Sequence, residues 1–501
     1  MSSSPTVRPF LALDVNYPPL PTGSDAPSPS SFTGKSVRIS IHSLSLHQPQ
    51  HQHQVDEEKA SWARITGRNR TTDPQEEFDE VDEKNMKALE ADDMSNNSEA
   101  EEDVYPDGGF QAWMVVLGGM LNAFATFGYV NSWGIFQSYY QQTILKDSSP
   151  STIAWIGSIQ YALGFLPALL VGRMFDLGYF RSIFLPSSVL LIMATFLVAE
   201  CTVYWQFLLC QGFALGLGCG GIFGPTMAVV AHWFKKRRGQ AMGLVAMGTS
   251  LGGTLLPVAA KSLMGQVGFK WTMRLIGFFL LFTLSLSNLV MKRRLPPKNV
   301  PGGLLNLSAF RSPAFTIYCI SAFTTLLGLY TVLTYIDVAA AGVPGVSETL
   351  AFYLVSIANV SSLVGRYVSG VVSDRVGPMN VMIPFTILAG VMTFIWPYAR
   401  TAPGLVTIAI VYGFCSGVYI GLMPNPLIAM GDMDDVGRRI GMFLSILALG
   451  ALAGPPISGA INTASRGYVA VGWYAGSMVL LGVAMMSATR WLVLRRWIGR
   501  F

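Results

Sequence analysis

The stretch that decides the fold is GRMFDLG at residues 172–178, because a related stretch, GVVSDRVG, returns at residues 370–377. Each stretch places a glycine four residues before an aspartate and closes with a second glycine. The two copies begin 198 residues apart, and each follows an apolar run. A motif that recurs at this distance predicts two related halves within one chain.

The composition is that of a membrane protein. Of 501 residues, 51% are apolar and 13% are charged, and the mean hydropathy is positive. A bilayer core about 30 Å thick needs about 20 apolar residues in helical form. We predict an all-α integral membrane protein with twelve transmembrane helices in two six-helix pseudo-repeats. The predicted spans are 111–136, 152–172, 182–200, 204–231, 239–260, 272–291, 314–338, 349–371, 380–399, 404–430, 437–461 and 469–492.

The predicted domains follow the same division. Residues 1–105 are rich in Ser, Pro, Gln, Asp and Glu, which predicts a disordered acidic tail. Up to Asp103 the chain has 9 Lys and Arg against 19 Asp and Glu, whereas the remainder has 25 against 10. The halves are predicted at 106–291 and 313–492. A Pro- and Gly-containing linker at 292–312 joins them, and a short tail at 493–501 follows.

The distribution of basic residues predicts the orientation. Loops on one predicted side of the membrane and the C-terminal end hold eighteen Lys and Arg, against five in the opposite loops. The positive-inside rule therefore places both termini in the cytoplasm. The N-terminus lacks the apolar core of a signal peptide, so the first span is expected to direct insertion. We expect a multi-pass protein of the plasma membrane, with an internal or vacuolar membrane as the alternative.

The repeated turns are predicted to act as gates. Asp176 can accept hydrogen bonds from a neighbouring helix N-terminus or pair with Arg173 or Arg181. Such contacts would hold one conformation and break in another, although solvated loop charge is the alternative. A second match, between residues 237–252 and 439–454, gives an offset of 202 residues. The predicted gating residues are Gly172, Asp176, Arg181, Gly370, Asp374, Arg375 and Gly377.

These loops resemble those of the major facilitator superfamily, which carry the pattern G-x-x-x-D-(x)-x-G-(x)-[RK] after the second and eighth spans. Two further stretches, YPDGGFQAW at 105–113 and HWFKKRRGQAMGLVAMGTSLGG at 232–253, are similar to the signatures of the monocarboxylate porter family, especially of its fungal members. The resemblance covers residues 105–492. It implies the major facilitator fold, whose halves alternately open a central site to each side of the membrane.

The two signatures allow structural and functional interpretations. Asp107 can cap the first helix, with Gly108 and Gly109 in the turn, and substrate contact is the alternative. The basic residues of the second signature are expected to anchor topology, and to steer substrate only by resemblance. The predicted motif residues are Asp107, Gly108, Gly109, Trp113, Lys235, Lys236, Arg237 and Gly243.

Arg366 is the central candidate for substrate binding. A charge inside a span is costly and usually marks function, although this side chain could also snorkel to the interface. The resemblance implies that an arginine in the eighth span binds the substrate carboxylate through its fork of donors. The family's aspartate one turn earlier is Ser362 here, and its first-span lysine is Asn131. Proton-coupled lactate transport therefore cannot be carried over intact.

Other polar groups complete the predicted binding set. Each could line a cavity or form hydrogen bonds between helices. Arg274, next to Trp271, favours an interfacial anchor, with a cavity position as the alternative. Asp337 and Glu348 could replace the missing acid or be wetted loop residues. The predicted substrate-binding residues are Arg366, Asn131, Ser362, Tyr129, Asn359 and Arg274.

The function predicted from these features is secondary active transport of a small organic solute, such as a monocarboxylate-like anion, by alternating access. Export of a cell-made secondary metabolite is the alternative, and a transport-inactive sensor or scaffold is more remote. No enzymatic activity, cofactor, metal site, nucleic acid or obligate protein partner is expected, and coupling to a proton gradient is left open. The expected partners are the organic solute and the lipid bilayer.

Overall fold

The computed structural model describes residues 105–297, 303–431, 433–496 and 499–500. The predicted acidic tail, apart from Tyr105, and residues 298–302 of the predicted linker lie outside these ranges. Throughout the described ranges the regular structure is helical, without strands. Eleven helices in these ranges are long and apolar enough to cross a membrane.

One of these helices contains two spans. The helix Arg238–Val290 breaks at Gly268, where φ is 76° and the direction of the chain changes. We call its parts α5 (238–267) and α6 (269–290). The first half also contains α1 (Gly109–Ile144), α2 (Thr152–Asp176), α3 (Phe180–Val198) and α4 (Tyr204–Ala231). The second half contains α7 (Pro313–Ala341), α8 (Glu348–Val376), α9 (Pro378–Tyr398), α10 (Ala402–Ala429), α11 (Met433–Ser465) and α12 (Tyr468–Leu494). The prediction of twelve helices in two sets of six is confirmed.

The helix surfaces suit a bilayer. Large apolar side chains such as Leu289, Phe282 and Trp473 remain more than half exposed, as expected for groups that face lipid. Polar groups in the helices turn inward instead. The hydroxyl of Thr126 donates to the Asn122 carbonyl at 2.7 Å, and that of Thr195 donates to the Leu191 carbonyl at 2.9 Å. Back-bonding of this kind satisfies hydroxyl groups where water is absent.

Several helices are irregular near their middle. In α1 the segment Phe124–Gly128 winds as a π-helix, and turns at 131–132 follow it. Tyr330 interrupts α7 between Leu329 and Thr331. π-Helical segments are rare and often lie at functional sites. Both irregularities border the central cavity described below.

Glycine brings α1 and α5 into backbone contact. A Cβ atom on Gly128 would lie 2.7 Å from the Cα of Gly252, and one on Gly252 would lie 2.5 Å from the Cα of Gly128. No side chain fits at such a crossing. The first half therefore depends on small residues for the packing of its central helices, as membrane helices commonly do.

The halves meet along two pairs of helices. In one pair α5 of the first half packs on α8 of the second, and in the other α2 packs on α11. The two crossings bring equivalent residues of the two halves into contact. A Cβ on Gly243 would meet the Arg366 carbonyl, and a Cβ on Gly441 would meet the Ala168 carbonyl.

This register corrects the expected offset of 202 residues. The structure matches Gly243 with Gly441 and Arg366 with Ala168, both 198 residues apart, as are the two gating turns. The sequence match between residues 237–252 and 439–454 was displaced by about one helical turn. Cationic residues and spaced glycines recur along both helices. Several alignments of the two sequences therefore match almost equally well, and the pattern of residue types did not distinguish them.

The contact between Gly128 and Gly252 makes a testable prediction. Replacing Gly252 with leucine should force α1 and α5 apart and lower the midpoint of thermal unfolding in detergent, because overpacking costs about 1–3 kcal/mol. Gly134→Leu is the matched control, since a Cβ there meets nothing within 4 Å. Equal midpoints for the two variants would contradict the close crossing.

Candidate substrate cavity and gate

A narrow cavity lies between the two halves. Its volume is about 20 Å³, which is room for roughly one water molecule. Both halves contribute aromatic and apolar side chains to its wall, and three polar residues face it. The aromatic lining residues are Phe127, Phe165, Phe223 and Tyr330, and the polar ones are Asn131, Thr249 and Arg366.

Arg366 is buried at this cavity, with 6% of its surface exposed. Its Nη1 donates to the carbonyl of Ala246 at 2.6 Å, while its Nε has no hydrogen-bond partner. In the described parts of the chain no carboxylate lies within ion-pair distance of this guanidinium. The phenols of Tyr330 and Tyr161 are the titratable groups that face it. Arg366 therefore presents a buried positive charge that has no counter-ion among the described residues.

Two other predicted binding residues join α8 to α5. Ser362 lies 3.3 Å from the Ser250 hydroxyl, and the Asn359 side chain donates to the Gly253 carbonyl at 3.3 Å. With Arg366 they form a row of cross-half hydrogen bonds, spaced three and four residues apart along α8, about one helical turn each. Asn359 and Ser362 thus hold the interface between the halves beside the cavity.

The structure does not bring the whole predicted set to the cavity. Tyr129 is buried within the first half, where its ring meets Phe136 at 6.0 Å. Arg274 is partly exposed and pairs with Glu200 at 2.6 Å, with its guanidinium 5.0 Å from the Trp271 ring. Helical phase explains Tyr129, because its side chain points away from the side of α1 that carries Asn131. Arg274 lies at the end of its span beside Trp271, which is the interfacial position that the sequence predicted for it.

The acid beside Arg274 belongs to a surface network. Arg274 and Lys270 both donate to Glu200, and these hydrogen bonds lower the pKa of that carboxyl below its ordinary value. Glu348, at the first turn of α8, is exposed. Asp337 accepts a hydrogen bond from the Val338 amide at 2.8 Å. None of these acids lines the central cavity.

Sequence reasoning missed several cavity residues. Phe127, Phe165, Phe223 and Thr249 were not selected, since one aromatic residue among many in a membrane helix gives no signal. Tyr161 was also unassigned. Its ring lies 5.5 Å from that of Tyr330, so α2 and α7 meet across the two halves. The spacing of four residues between Tyr161 and Phe165, which puts them on one helix face, was the available clue.

The predicted gating turns lie at one face of the molecule, which we call the basic face. Asp176 accepts hydrogen bonds from the amides of Gly437 and Arg438, both at 2.9 Å. Asp374 accepts them from the amides of Gly239 and Gln240, at 2.6 and 2.8 Å. Each carboxylate thus caps the N-terminus of a helix in the opposite half, where free amides and the helix dipole favour negative charge.

Glycines let these turns approach. A Cβ on Gly172 would collide with the Gly437 carbonyl, and one on Gly370 would lie 2.5 Å from the Gly239 carbonyl oxygen. Gly377 ends α8 with φ of 94°, a conformation that favours glycine. The basic face is therefore closed by backbone contact as well as by charge.

The arginines of the predicted gate have other positions. Arg181 and Arg375 are exposed and make no hydrogen bond or ion pair within the described ranges. The cation next to Asp176 is instead the buried Arg438, whose Nε lies 3.9 Å from a carboxylate oxygen. Of the alternatives predicted for Asp176, the structure shows the hydrogen bonds from a neighbouring helix N-terminus and not the pair with Arg181.

The two family signatures come together beside this gate. Asp107 accepts hydrogen bonds from the amides of Lys235 and Arg237, at 2.7 and 3.0 Å, and Trp113 packs on Phe234 with ring centroids 5.2 Å apart. The residue before α1 is Gly108, and no side chain caps that helix. The expectation that Asp107 caps the first helix is therefore corrected. Its carboxylate stabilises the turn that leads into α5.

The remaining motif residues divide between exposed charge and packing. Lys235, Lys236 and Arg237 are exposed at the basic face. Gly109 has φ of 83° at the start of α1, and Gly243 lies at the tight crossing of α5 and α8. His232, at the end of α4, is buried against the Phe175 ring, and burial lowers its pKa to about 3. This imidazole is neutral at physiological pH.

Comparisons with known proteins agree with this architecture. The family model described as Major Facilitator Superfamily matches residues 122–432. The solved structure of the human organic anion transporter MFSD10 superposes with a TM-score of 0.60 at 17% identity, covering 75% of this chain and 98% of that one. At that identity the likeness concerns the fold alone.

Two curated fungal relatives are similar in sequence. The MFS-type transporter 1 of an Ophiocordyceps species is 37% identical over 390 residues, covering 77% of this chain and 86% of that protein. The aspyridones efflux protein of Emericella nidulans is 35% identical over 384 residues, covering 76% of this chain and 78% of that protein. With the twelve helices, the two related halves and the paired gate, these matches establish that the chain belongs to the major facilitator superfamily of membrane transporters.

Proposed function

We propose that this transporter exports an amphipathic organic anion, of the kind made by secondary metabolism, across the plasma membrane. The observation that carries the proposal is Arg366, a buried cation at the junction of the halves with no carboxylate partner in the described chain. A charge of this kind is costly to keep away from water, so a ligand that neutralises it gains binding free energy.

The cavity wall supports the chemistry of the solute. Phe127, Phe165, Phe223 and Tyr330 offer faces for an aromatic or apolar body, and Arg366 offers the fork that suits a carboxylate or enolate. A small monocarboxylate, as in the monocarboxylate porter family, would satisfy the arginine but leave most of this wall unused. The wall therefore favours the bulkier metabolite.

Export is the direction favoured by the relatives. The protein of Emericella nidulans is named as an efflux protein for aspyridones, and it shares 35% identity with this chain. The basic face would be cytoplasmic, because it carries the positively charged loops. Transport across an internal or vacuolar membrane would use the same mechanism.

The closed basic face and the small cavity together describe a conformation that cannot take up solute from the cytoplasm. A volume of about 20 Å³ cannot hold a metabolite, so the halves have to separate before the solute enters from the cytoplasm. Separation breaks the caps of Asp176 and Asp374 and exposes Arg366 to the solute. Coupling to a proton gradient is part of the proposal, with these two carboxylates as the acids whose contacts change.

Removing the charge of Arg366 should abolish export. In cells that express the chain, Arg366→Gln should leave anionic aromatic metabolites inside, with export reduced about tenfold or more, since a hydrogen bond to a charged group contributes about 1.5–3 kcal/mol. Arg366→Lys should recover only part of the activity, because lysine lacks the planar fork. The measurement is the ratio of each metabolite in the medium to that in the cells, by mass spectrometry.

Arg274→Gln serves as the matched control for this experiment, because it removes an arginine from a span without touching the cavity. It should export normally. Export by Arg366→Gln at the level of Arg274→Gln would overturn the binding role. No change in any metabolite on expression of the unmodified chain would count against export itself.

The gate carboxylates generate a second prediction. Asp176→Asn and Asp374→Asn should each raise the ratio of open to closed molecules at the basic face about tenfold, the equivalent of losing one charge-assisted hydrogen bond. The double variant should shift it further. Spin labels at Arg181 and Arg311, in a background without the five native cysteines, measure the distance between the halves.

Asp147→Asn is the control for this measurement, since it removes one exposed acid from the loop between α1 and α2. Its distance distribution should match that of the unmodified protein. If the Asp176 and Asp374 variants also matched it, the helix caps could not be what closes the basic face.

A further inference from the structure

The chain that leaves each half returns to that half's own gating turn. Arg293 lies three residues beyond the end of α6, and its guanidinium donates to the Phe175 carbonyl and, at 3.3 Å, to the Asp176 carbonyl. Arg500 lies six residues beyond the end of α12 and donates to the Asp374 carbonyl at 2.6 Å. Both arginines thus contact the backbone of the residue whose carboxylate closes the gate.

We propose that Arg293 and Arg500 are positioning residues of the gate, which fix the helix ends from which Asp176 and Asp374 cap the opposite half. The inference rests on the transport cycle of the family and not on the direction of transport or the identity of the solute. It assigns a function to the start of the linker between the halves and to the C-terminal residues.

The physical reason lies in the end of a helix. The last carbonyls of a helix have no amide donors, and the helix dipole makes this end negative. Because α2 ends at Asp176, one residue carries both an unsatisfied carbonyl and the gate carboxylate. An arginine that binds the carbonyl fixes the last turn of the helix, so the carboxylate points at Gly437 and Arg438 before the halves meet.

Arg293 is itself held in place. It donates to the carbonyls of Leu295 and Pro296 at 2.9 and 3.2 Å, and its guanidinium lies 4.9 Å from the centre of the Phe175 ring. The linker therefore folds around its own arginine. A Cβ on Gly178, which closes the turn at φ of 96°, would lie 3.0 Å from Pro297, so the linker also covers the turn directly.

The second half reaches the same arrangement by other contacts. The Gly499 carbonyl accepts hydrogen bonds from Asn380 at 2.9 Å and from Arg490 at 3.1 Å. Arg490 also donates to the Asn380 side-chain oxygen at 2.7 Å. These contacts hold the backbone next to Arg500 against the first turn of α9.

The two arginines do not correspond in sequence. They are 207 residues apart, whereas the gating turns are 198 apart. Their shared position therefore does not follow from simple repetition of the six-helix unit. Two differently connected segments, the linker and the C-terminal residues, each place a guanidinium on the carbonyl of the gate aspartate in their own half.

The test uses the spin-labelled protein with labels at Arg181 and Arg311, reconstituted in nanodiscs without solute. Arg293→Gln and Arg500→Gln should each raise the ratio of open to closed distances by about tenfold, the equivalent of losing one hydrogen bond to a charged donor. Arg293→Lys should give an intermediate ratio, because the compact ammonium lacks the planar fork that spans the Phe175 and Asp176 carbonyls on one side and those of Leu295 and Pro296 on the other. A role confined to folding would lower the yield of monodisperse protein without shifting the distances of what remains.

Matched controls remove a positive charge from the same segments. Lys292→Gln precedes Arg293 and Arg496→Gln precedes Arg500, and both residues are exposed. The controls should retain the closed distance. Distances for Arg293→Gln and Arg500→Gln that equal those of the controls would overturn the proposal. Because no solute is present, this result is independent of whether the chain exports a metabolite.

Discussion

Two carboxylates, Asp176 and Asp374, satisfy helix amides that belong to the other half of the molecule. A helix N-terminus inside a membrane protein has few sources of acceptors, since water is scarce there. Asp176 caps α11 and Asp374 caps α5 across the interface. Each half therefore needs the other half to satisfy the amides at one of its helix N-termini. This mutual capping and the glycine contacts beside it together close the basic face. A conformation that opens this face has to hydrate four amides and two acids together.

The two interfaces share a backbone plan and differ in chemistry. At the same register, α8 carries Arg366 where α2 carries Ala168. Similarly, α11 carries Arg438 where α5 carries Gln240. The repeated backbone supports symmetric movement of the halves, whereas the arginine that lines the cavity comes from the second half. The first half contributes most of the aromatic wall, so the two halves present unlike surfaces to the cavity.

The fold was predictable because its signals are long and repeated. Twelve apolar runs and two copies of one turn determine the spans and the halves, and the errors in the spans lie at helix ends, the largest being eight residues at the end of α1. Contacts within one turn were harder. Asp107 precedes a helix, which predicts a cap, yet the amides of Lys235 and Arg237 reach it from far along the chain. Tyr129 is polar and lies near Asn131, but the rotation of α1 places the two side chains toward different neighbours. Sequence gives the type of a side chain more readily than the direction in which it points.

The hydrogen bond from Arg366 to the Ala246 carbonyl has a consequence for selectivity. The guanidinium already has an acceptor, so a solute that binds Arg366 as proposed would compete with a backbone group for one of its donors. A neutral acceptor gains little by the exchange, whereas an anion offers the stronger partner. In the proposed function, the carbonyl would therefore exclude solutes whose acceptor groups are weaker than a backbone carbonyl. Since that carbonyl belongs to the opposite half, an anion that occupies Arg366 would also keep this hydrogen bond between α5 and α8 from forming while the solute is bound.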